Sequence, residues 1–330
     1  MKVTVKANAN IALTKYWGKK DDKLKTPWNS NTSITLDGLE TITTVEFDQK
    51  YTCDIFILDD KEYLEGTDEF KEVKEQIDII RNKSNKKEFA KVVSKNNFPT
   101  AAGFASSASG LAALTYAGCK AAELNLSTKE LTILARMGSG SASRSLIDGF
   151  AIWHAGETSE ESFASQIAPK EHWPEFRILG CVISKKQKKT KSRAGMAQSV
   201  KTSPIFKVWY ETAESDANKM VELIKEKNFN EIGKLAQANC ILMHACAMTT
   251  NPTIMYWQPG TLEVIHKVLE LQDEGKEIYF TIDGGPQVKI ICQEKDVVEF
   301  KEILNSLESV QEVIVCKPGT GPRVINEHLF

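Results

Sequence analysis

The sequence lacks paired cysteines, long apolar runs and a signal segment, and each absence excludes a class of protein. Its seven cysteines are odd in number and never stand as C-x-x-C, a pattern that favours reduced thiols over a disulfide framework. No apolar run approaches the length of a membrane span, and the opening MKVTVKANANIAL lacks the charged-then-apolar layout of a secretory signal. We therefore expect a cytoplasmic protein.

An excess of charge of either sign is also missing. Lys and Arg number 42 against 44 Asp and Glu, so the net charge is −2 and nothing indicates nucleic acid or a membrane surface as a partner. The 330 residues are 42% hydrophobic and 26% charged, which is typical of a globular protein with a large core. A chain of this length favours two domains. The stretch EHWPEF (171–176) contains Pro174 among polar residues, a composition that suggests a linker. We therefore predict domains over 1–172 and 173–330.

Several catalytic motifs are absent. There is no G-x-S-x-G, no H-E-x-x-H and no acidic metal cluster, and none of the five histidines stands in a motif with a nucleophile. Neither a Walker loop nor G-x-G-x-x-G is present. Cys240, His244 and Cys246 are close in sequence but lack the second ligand cluster of a zinc site. These absences argue against hydrolase and zinc chemistry.

Hydrophobic periodicity and turn residues predict helices packed on an antiparallel sheet. In the first half they predict a strand at MKVTV, a hairpin over 33–47 turning at Asp37-Gly38 and a surface helix within 61–83. They also predict a helix over 111–124 and a capped helix from 127 to Arg136, with Gly138 placed to end it. In the second half they predict a strand at RILGCVIS, two helices between 204 and 246, a helix over 260–275 with Leu262, Ile265 and Leu269 on one face, strands over 277–282 and 287–292, and a helix over 296–307. The predicted fold class is α/β (α+β).

The stretch PTAAGFASSASG (99–110) places small residues around Phe104, directly before the helix over 111–124. Such a loop lets bare backbone N–H groups face an anion at the positive end of the helix dipole. Small residues equally allow a helix to pack closely on a sheet. This stretch alone does not decide between the two interpretations.

Two further stretches combine small or apolar residues with lysine or arginine side chains. NANIALTKYWGK (8–19) ends a strand with Lys15 and Lys19, which suit either a binding site or a strand whose lysines reach to solvent. GSGSASRS (138–145) places Arg144 in what we predict to be the first turn of a helix. An arginine at the positive end of a helix is unfavourable unless an anion joins it, which favours an anion site here.

Charged residues also stand in two loops of the second half. Asp283 in IDGGPQVK (282–289) ends an apolar strand, where an aspartate most simply makes a local turn with its own backbone. The basic run KKQKKTKSR (185–193) is most simply a solvated loop, and the alternative is that it folds over an anionic ligand.

Taken together, these stretches resemble one family. NIALTKYWGKK (10–20), SKNNFPTAAGFASSASGLAAL (94–114), ARMGSGSASRS (135–145) and FTIDGGPQVK (280–289) are similar, in order and spacing, to the signatures of mevalonate diphosphate decarboxylases in the GHMP kinase superfamily. Phe104, Asp148 and Gly284 depart from the family's usual residues without removing a catalytic group. The resemblance implies a two-domain GHMP-kinase-like fold with the active site in the cleft between the domains, and a homodimer.

The reaction that the resemblance implies is the ATP-dependent decarboxylation of (R)-5-diphosphomevalonate to isopentenyl diphosphate, ADP, phosphate and CO₂, with ATP and Mg²⁺ as cofactors. The alternatives are a phosphomevalonate decarboxylase, a GHMP small-molecule kinase that stops after phosphorylating the 3-hydroxyl, and a nucleotide-binding protein without catalysis. The number of phosphates on the substrate is not decided by the sequence.

The resemblance also implies roles for individual residues. Asp283 would take or orient the hydroxyl proton, Lys19 would keep Asp283 ionised, and Arg144 would clamp the carboxylate or the diphosphate. The substrate would contact Tyr16, Trp17, Gly18, Lys19, Ser139, Gly140, Ser141, Ala142, Ser143, Arg144, Ser192 and Arg193. ATP would contact Ser94, Ala101, Gly103, Ala105, Ser106, Ser107 and Ser109, with Ser107 also on Mg²⁺.

Overall fold

The computed structural model describes residues 1–98, 106–184 and 190–330. Its strands are β1 (Lys2–Ala12), β2 (Lys19–Asp21), β3 (Thr26–Pro27), β4 (Asn31–Phe47), β5 (Ile55–Leu58), β6 (Lys61–Tyr63), β7 (Ala90–Asn96), β8 (Phe150–Trp153), β9 (Ala164–Ala168), β10 (Phe176–Val182), β11 (Tyr279–Thr281), β12 (Val288–Gln293), β13 (Glu312–Pro318) and β14 (Arg323–Ile325). Its α-helices are α1 (Asp68–Ser84), α2 (Ser106–Ala121), α3 (Thr128–Gly138), α4 (Ser192–Thr202), α5 (Phe206–Glu226), α6 (Phe229–Met248), α7 (Pro259–Asp273) and α8 (Val297–Asn305). Short 3-10 helices cover Gly140–Leu146, Lys170–His172 and Glu294–Asp296.

Twelve strands of the described residues form one mixed sheet, whose main path is β11-β12-β10-β13-β4-β7-β5-β6. β1 and β8 also pair with β4, and β9 and β14 extend the sheet from β8 and β1. β4 joins the two halves of the chain, because β13 pairs with it at Lys317↔Asp37 and Pro318↔Leu36. Helices packed on this sheet confirm the predicted α/β class.

The predicted hairpin over 33–47 is wrong. β4 runs through Asp37-Gly38 as one strand of 17 residues, and β1 pairs with it on both sides of that dipeptide. The pairing is irregular only near this dipeptide. Gly38 has a φ of +100°, and the register of β1 shifts between Asn8 and Asn10. Pairing along a long neighbouring strand therefore outweighs the local preference of Asp-Gly for a turn.

The capped helix predicted from STKE is confirmed as α3. The Ser127 side chain accepts from the backbone N–H of Glu130, and the Glu130 side chain accepts from the backbone N–H of Ser127. Each interaction satisfies a donor that the first helical turn leaves without a partner.

The face of α7 predicted to carry Leu262, Ile265 and Leu269 is only partly buried. Ile265 is buried, but Leu262 is 44% and Leu269 is 38% exposed. The Thr261 hydroxyl, on the neighbouring stripe of the helix, donates to the carbonyl of Pro286 at 2.7 Å. The side chains that α7 buries are Thr261, Val264, Ile265, Val268 and Leu271. The helix therefore buries the more continuous of its two apolar stripes.

A hydrophobic core extends across the predicted boundary between residues 172 and 173. One cluster of buried side chains joins Ile11 and Ile34 to Phe176, Ile224 and Ile291. β14 returns from the end of the chain to pair with β1. The division of the chain into 1–172 and 173–330 stays a prediction. Among the described residues, no helix combines the length and the apolar character needed to cross a membrane.

The close packing of α6 on β11 depends on Gly233, where a Cβ would overlap the ring of Tyr279. We expect Gly233→Ala to lower the free energy of unfolding by about 1–3 kcal/mol, because overpacking forces neighbours from their preferred rotamers. Gly110→Ala in α2 is the matched control, since a Cβ there meets nothing within 4 Å, and it should gain about 0.5–1 kcal/mol. Urea denaturation measures both variants, and equal stabilities would contradict this packing.

Candidate active site

The site forms where the chain leaves β1 and where it leaves β11. Lys15 follows the end of β1 at Ala12, and Asp283 follows the end of β11 at Thr281. Lys15 Nζ donates to Asp283 Oδ1 at 2.7 Å and to the carbonyl of Ala12 at 2.8 Å. The Lys15 side chain is buried, whereas that of Asp283 is 29% exposed. The ion pair therefore lies at the edge of the core, with its carboxylate accessible.

The charges around Asp283 keep its carboxyl ionised. Burial would raise the pKa of Asp283, but the positive charges of Lys15, Lys289 and Arg144 outweigh burial and hold the pKa below its ordinary value. The side chain therefore does not serve only a local turn, which was its simplest interpretation from the sequence. It is an accessible carboxylate that can accept a proton.

The lysine on Asp283 is Lys15 and not Lys19, which corrects the role predicted for Lys19. Lys19 lies in β2, with Nζ 3.7 Å from Asp22 Oδ1. The two lysines stand four residues apart in one stretch, and the turn after β1 directs Lys15 into the core. The place of Lys19 among the substrate contacts stays a prediction.

Arg144 is buried and held by two asparagines. Its Nε and Nη2 donate to Asn10 Oδ1 at 3.2 and 3.1 Å, and its Nη1 donates to Asn31 Oδ1. Burial lowers the pKa of Arg144 to about 10, against the opposing influence of Asp283 and Tyr16, so the guanidinium stays charged at neutral pH. Both asparagines are neutral, so they orient the positive charge without cancelling it.

The expected position of Arg144 in the first turn of an α-helix is wrong. The segment Gly140–Leu146 is a 3-10 helix, and Arg144 lies in its last turn. The helix dipole therefore gives no reason for an anion at Arg144. The reason that remains is the buried, oriented charge itself, which lies close enough to Asp283 to lower its pKa.

Residues 138–145, the second stretch of small residues, lie against Trp153, which in turn contacts Tyr16. Tyr16 and Trp153 meet edge to face with ring centroids 4.9 Å apart, and a Cβ at Gly140 would overlap the Trp153 ring. Ser139 Oγ and Ser141 Oγ are 3.2 Å apart. A glycine is required at position 140 because the backbone there runs directly over the ring of Trp153. The hydroxyls of Ser139 and Ser141 lie side by side.

Three cations converge near the start of this loop. Lys25 Nζ donates to the carbonyl of Met137, and Arg193 Nη2 donates to that of Gly138 at 3.4 Å. Burial, followed by the charge of Arg193, lowers the pKa of both Lys19 and Lys25. Cations that depress each other's pKa mark a space suited to an anion. Lys25 was missed from the sequence, because in KKDDKLK it is indistinguishable from an ordinary surface lysine.

The other predicted substrate residues of these stretches have mainly packing contacts. Trp17 is buried and its Nε1 donates to Ser199 Oγ at 2.8 Å. Gly18 has a φ of +118° and lies against the ring of Phe206. Ala142 and Ser143 are buried in the 3-10 helix. A direct role of these four residues in substrate binding stays a prediction.

The end of the basic run reaches across to α1. Residues 185–189 lie outside the described residues, and Ser192 is the first residue of α4. Lys191 Nζ is 2.6 Å from Asp68 Oδ2, and Arg193 Nη2 is 3.3 Å from Glu72 Oε1. The described part of the run therefore lies at the solvent-exposed surface, runs into α4 and is joined to α1 by two ion pairs.

Most of the predicted ATP loop lies outside the described residues, which applies to Ala101, Gly103, Ala105 and the side chain of Ser106. α2 begins at Ser106, and Ser107 is exposed in its first turn. Ser94 and Ser109 are buried, with their hydroxyls 2.8 Å from Thr43 Oγ1 and 2.7 Å from Thr41 Oγ1. These two serines therefore attach β7 and α2 to β4, while Ser107 remains accessible to a ligand.

A cavity of about 780 Å³ has none of these residues in its lining. Its lining includes Trp28, His154, Glu157, Glu211 and Glu214. Four of its lining residues are glutamates against one lysine, so it repels the anions that the Arg144 side of the molecule attracts. This cavity is not the predicted active site.

Comparison with known proteins identifies the family of this chain. Residues 7–164 match the family model of the diphosphomevalonate decarboxylase-like N-terminal domain, and residues 178–309 match that of the mevalonate 5-diphosphate decarboxylase C-terminal domain. Diphosphomevalonate decarboxylase of Homo sapiens is 35% identical over 316 residues, which span 90% of this chain and 78% of the relative. The chain belongs to the mevalonate diphosphate decarboxylase family. Its relative in Candida albicans is 35% identical and is covered over 98% of its length.

Solved structures of this family agree with the fold over nearly the full length. The mevalonate diphosphate decarboxylase of Enterococcus faecalis gives a TM-score of 0.92 at 39% identity, with 99% of each chain covered. That of Staphylococcus aureus gives 0.93 at 34% identity, with 98% of each chain covered. A structure of MDDEF in complex with MVAPP, AMPPCP and magnesium gives 0.93 at 39% identity. The family and the GHMP-kinase-like fold predicted from the four stretches are confirmed.

The burial of Arg144 makes a prediction about stability. Arg144→Ala should lower the free energy of unfolding by about 2–5 kcal/mol, because it leaves the buried amide oxygens of Asn10 and Asn31 without these donors. Arg193, whose side chain is 49% exposed, is the matched control, and Arg193→Ala should change stability by at most about 0.5 kcal/mol. Urea titration followed by tryptophan fluorescence measures both. Wild-type stability of Arg144→Ala would contradict the hydrogen-bonded burial of this side chain.

Proposed function

We propose how this chain carries out the reaction of its family, the ATP-dependent decarboxylation of (R)-5-diphosphomevalonate to isopentenyl diphosphate, ADP, phosphate and CO₂. The observation that carries the proposal is the Lys15–Asp283 pair, whose carboxylate is accessible and close to the charge of Arg144. Such a pair supplies an ionised oxygen where a tertiary hydroxyl must lose its proton.

Asp283 is the catalytic residue of the first step. One carboxylate oxygen accepts the proton of the 3-hydroxyl while the hydroxyl oxygen bonds to the γ-phosphorus of ATP and the bond to ADP breaks. Lys15 keeps the carboxylate ionised before the reaction, since its Nζ is 2.7 Å from Oδ1. The proton remains on Asp283 until the products leave.

In the second step the 3-phosphate leaves and positive charge develops at carbon 3. The bond from carbon 2 to the carboxylate then breaks, its electron pair forms the double bond, and CO₂ departs. Arg144, oriented by Asn10 and Asn31, offers a bidentate cation to the carboxylate or the diphosphate of the substrate. Its position is fixed before the substrate arrives, so little reorganisation is needed during the reaction.

The diphosphate of the substrate fits the space between residues 138–145 and the three cations near the start of that stretch. Ser139 and Ser141 offer hydroxyls, and Lys19, Lys25 and Arg193 offer positive charge. The remaining proposed contacts of this group are Tyr16, Trp17, Gly18, Gly140, Ala142, Ser143 and Ser192.

ATP is the phosphoryl donor, and the start of α2 fits its phosphates. Ser107 is exposed in the first turn of this helix, where backbone N–H groups and the dipole favour an anion. In the described ranges, no group of three His, Cys, Asp or Glu side chains could hold a metal ion. Mg²⁺ would therefore be held largely by the phosphates, with Ser107 as the proposed protein ligand. When bound, Mg²⁺ neutralises charge on the transferring phosphoryl group.

A homodimer and a cytoplasmic location belong to the same proposal. Both are supported by the family resemblance of the four stretches, and the scattered, unpaired cysteines suit a reducing compartment.

The test of the proposed function is the release of ADP and CO₂ from ATP and 5-diphosphomevalonate. We expect both products in equal amounts, and slower turnover with 5-phosphomevalonate. ADP without CO₂ would indicate a kinase, and neither product would indicate a nucleotide-binding protein.

Asp283→Asn should lower kcat by about 10²–10⁴-fold with little change in KM, because the amide cannot take the proton. Wild-type kcat in this variant would remove Asp283 from the mechanism.

The Lys15–Asp283 pair also predicts a pH dependence. Asp283 works in its ionised form, so activity is present above its depressed pKa and is lost as the pH falls through that pKa. Lys15→Met removes the positive charge, and burial then raises the pKa of Asp283. The acid limb of the kcat–pH profile should therefore move to higher pH.

Lys19→Met is the matched control for this experiment. It removes a cation from the same stretch and should raise KM for the substrate, but it should leave the acid limb of kcat in place. An acid limb that moves equally in both variants would contradict the specific pairing of Lys15 with Asp283.

A further inference from the structure

The two members of the Lys15–Asp283 pair lie just beyond the ends of separate strands. β1 ends at Ala12 and β11 ends at Thr281, so neither residue is held by the hydrogen bonds of the sheet ladder. Buried main-chain groups beyond a strand end need other partners. Side chains of α6 provide such partners on both sides of the pair.

On the Lys15 side, the partner is Asn239. Its Oδ1 accepts from the backbone N–H of Lys15 at 2.7 Å, and its Nδ2 donates to Asp216 Oδ2 at 2.8 Å. The amide nitrogen can only donate and the amide oxygen can only accept, so Asp216 fixes which end of the amide faces Lys15. Asn239 is 1% exposed, so its amide is shielded from bulk solvent.

On the Asp283 side, the partners are Cys240 and His244, which lie one helical turn apart on the same face of α6. The backbone N–H of Ile282 donates to Cys240 Sγ at 3.1 Å. The carbonyl of Ile282 is 3.4 Å from Cys240 Sγ and 3.3 Å from His244 Nε2. A carbonyl can only accept, so His244 Nε2 carries a hydrogen. Burial lowers the pKa of His244 to about 3, so the ring is neutral at working pH.

We propose that Asn239, Cys240 and His244 are positioning residues, through which α6 fixes the main chains at Lys15 and Ile282 and so aligns the Lys15–Asp283 pair with the substrate hydroxyl. The inference rests on the proposed function, because it requires Asp283 to take the proton. It also explains why Cys240 and His244 stand close together without forming a zinc site. Cys246, the third residue of that group, contacts Ser203 instead.

The test compares variants of the two sides of α6. His244→Leu removes the donor to Ile282, and Asn239→Leu removes the acceptor for Lys15. Each should lower kcat by about 10- to 100-fold, with KM for ATP and substrate within about twofold, because a misplacement of about 1 Å is enough to slow a positioned group to this extent. His244→Gln should recover most of the lost kcat, since its amide nitrogen can reach the same carbonyl.

Ile232→Ala is the matched control for loss of stability. Ile232 is a fully buried residue of the same helix and packs in the core cluster that contains Ile224 and Phe176. The variant should lower stability by about 2–5 kcal/mol and leave kcat per folded molecule unchanged. If His244→Leu does not fold, Asn239→Leu and His244→Gln still test the two sides separately.

A second readout separates positioning from a general structural role. In the Asp283→Asn background, His244→Leu and Asn239→Leu should lower kcat no further, because the group that they align no longer acts. Additional losses of the same size in both backgrounds, a change confined to KM, or an equal loss in Ile232→Ala would overturn the inference.

Failure of this inference is distinguishable from failure of the proposed function. Wild-type kcat in Asp283→Asn would overturn both. Loss of kcat in Asp283→Asn together with wild-type kcat in His244→Leu and Asn239→Leu would leave the proposed function in place and overturn only the role of α6.

Discussion

The ion pair between Lys15 and Asp283 is the interaction on which the rest of the site depends. Lys15 is almost completely buried, and a buried ammonium is costly unless a partner of opposite charge compensates it. The partner comes from the other end of the chain, so the pair exists only when both halves have folded against each other. The continuous sheet through β4 and β13, together with the contacts of α6, brings these two strand ends to one place.

The distribution of charge around that pair decides what the site can bind. The net charge of the whole chain is −2, yet one carboxylate faces Arg144 and Lys289 at the site, and Lys19, Lys25 and Arg193 gather nearby. The cavity of about 780 Å³ has four glutamates in its lining and is unsuited to an anion. Local arrangement, and not overall composition, therefore produces a pocket for a substrate that carries a carboxylate and phosphates.

The sequence predicted the stretches that form the site but not every residue role within them. Asp283, Arg144 and Tyr16 lie close together, as the family resemblance of their stretches implied. The residues alone had favoured a local turn role for Asp283. Lys15 and Lys19 could not be told apart, since the direction of each side chain is set by the turn after β1 and by Asn239, which is distant in sequence. Spacing within one stretch carries no information about such a contact.

The same limit explains the errors in the fold. Asp37-Gly38 is a strong local signal for a turn, but pairing with β1 along most of β4 outweighs it. The buried stripe of α7 is Thr261, Val264, Ile265, Val268 and Leu271, a second apolar stripe at helical spacing, and spacing alone did not show which of the two faces the core. Capping of α3, in contrast, is local and was predicted correctly.

The most direct test of the central claim is the titration of the Asp283 carboxyl carbon by ¹³C NMR in the free enzyme, with Asp283→Asn used to assign the resonance. The Lys15–Asp283 pair predicts a midpoint below the ordinary aspartate value of about 3.9. A midpoint at or above that value would show that burial dominates over Lys15, and it would contradict the Lys15–Asp283 pair as the interaction that sets the charge of Asp283.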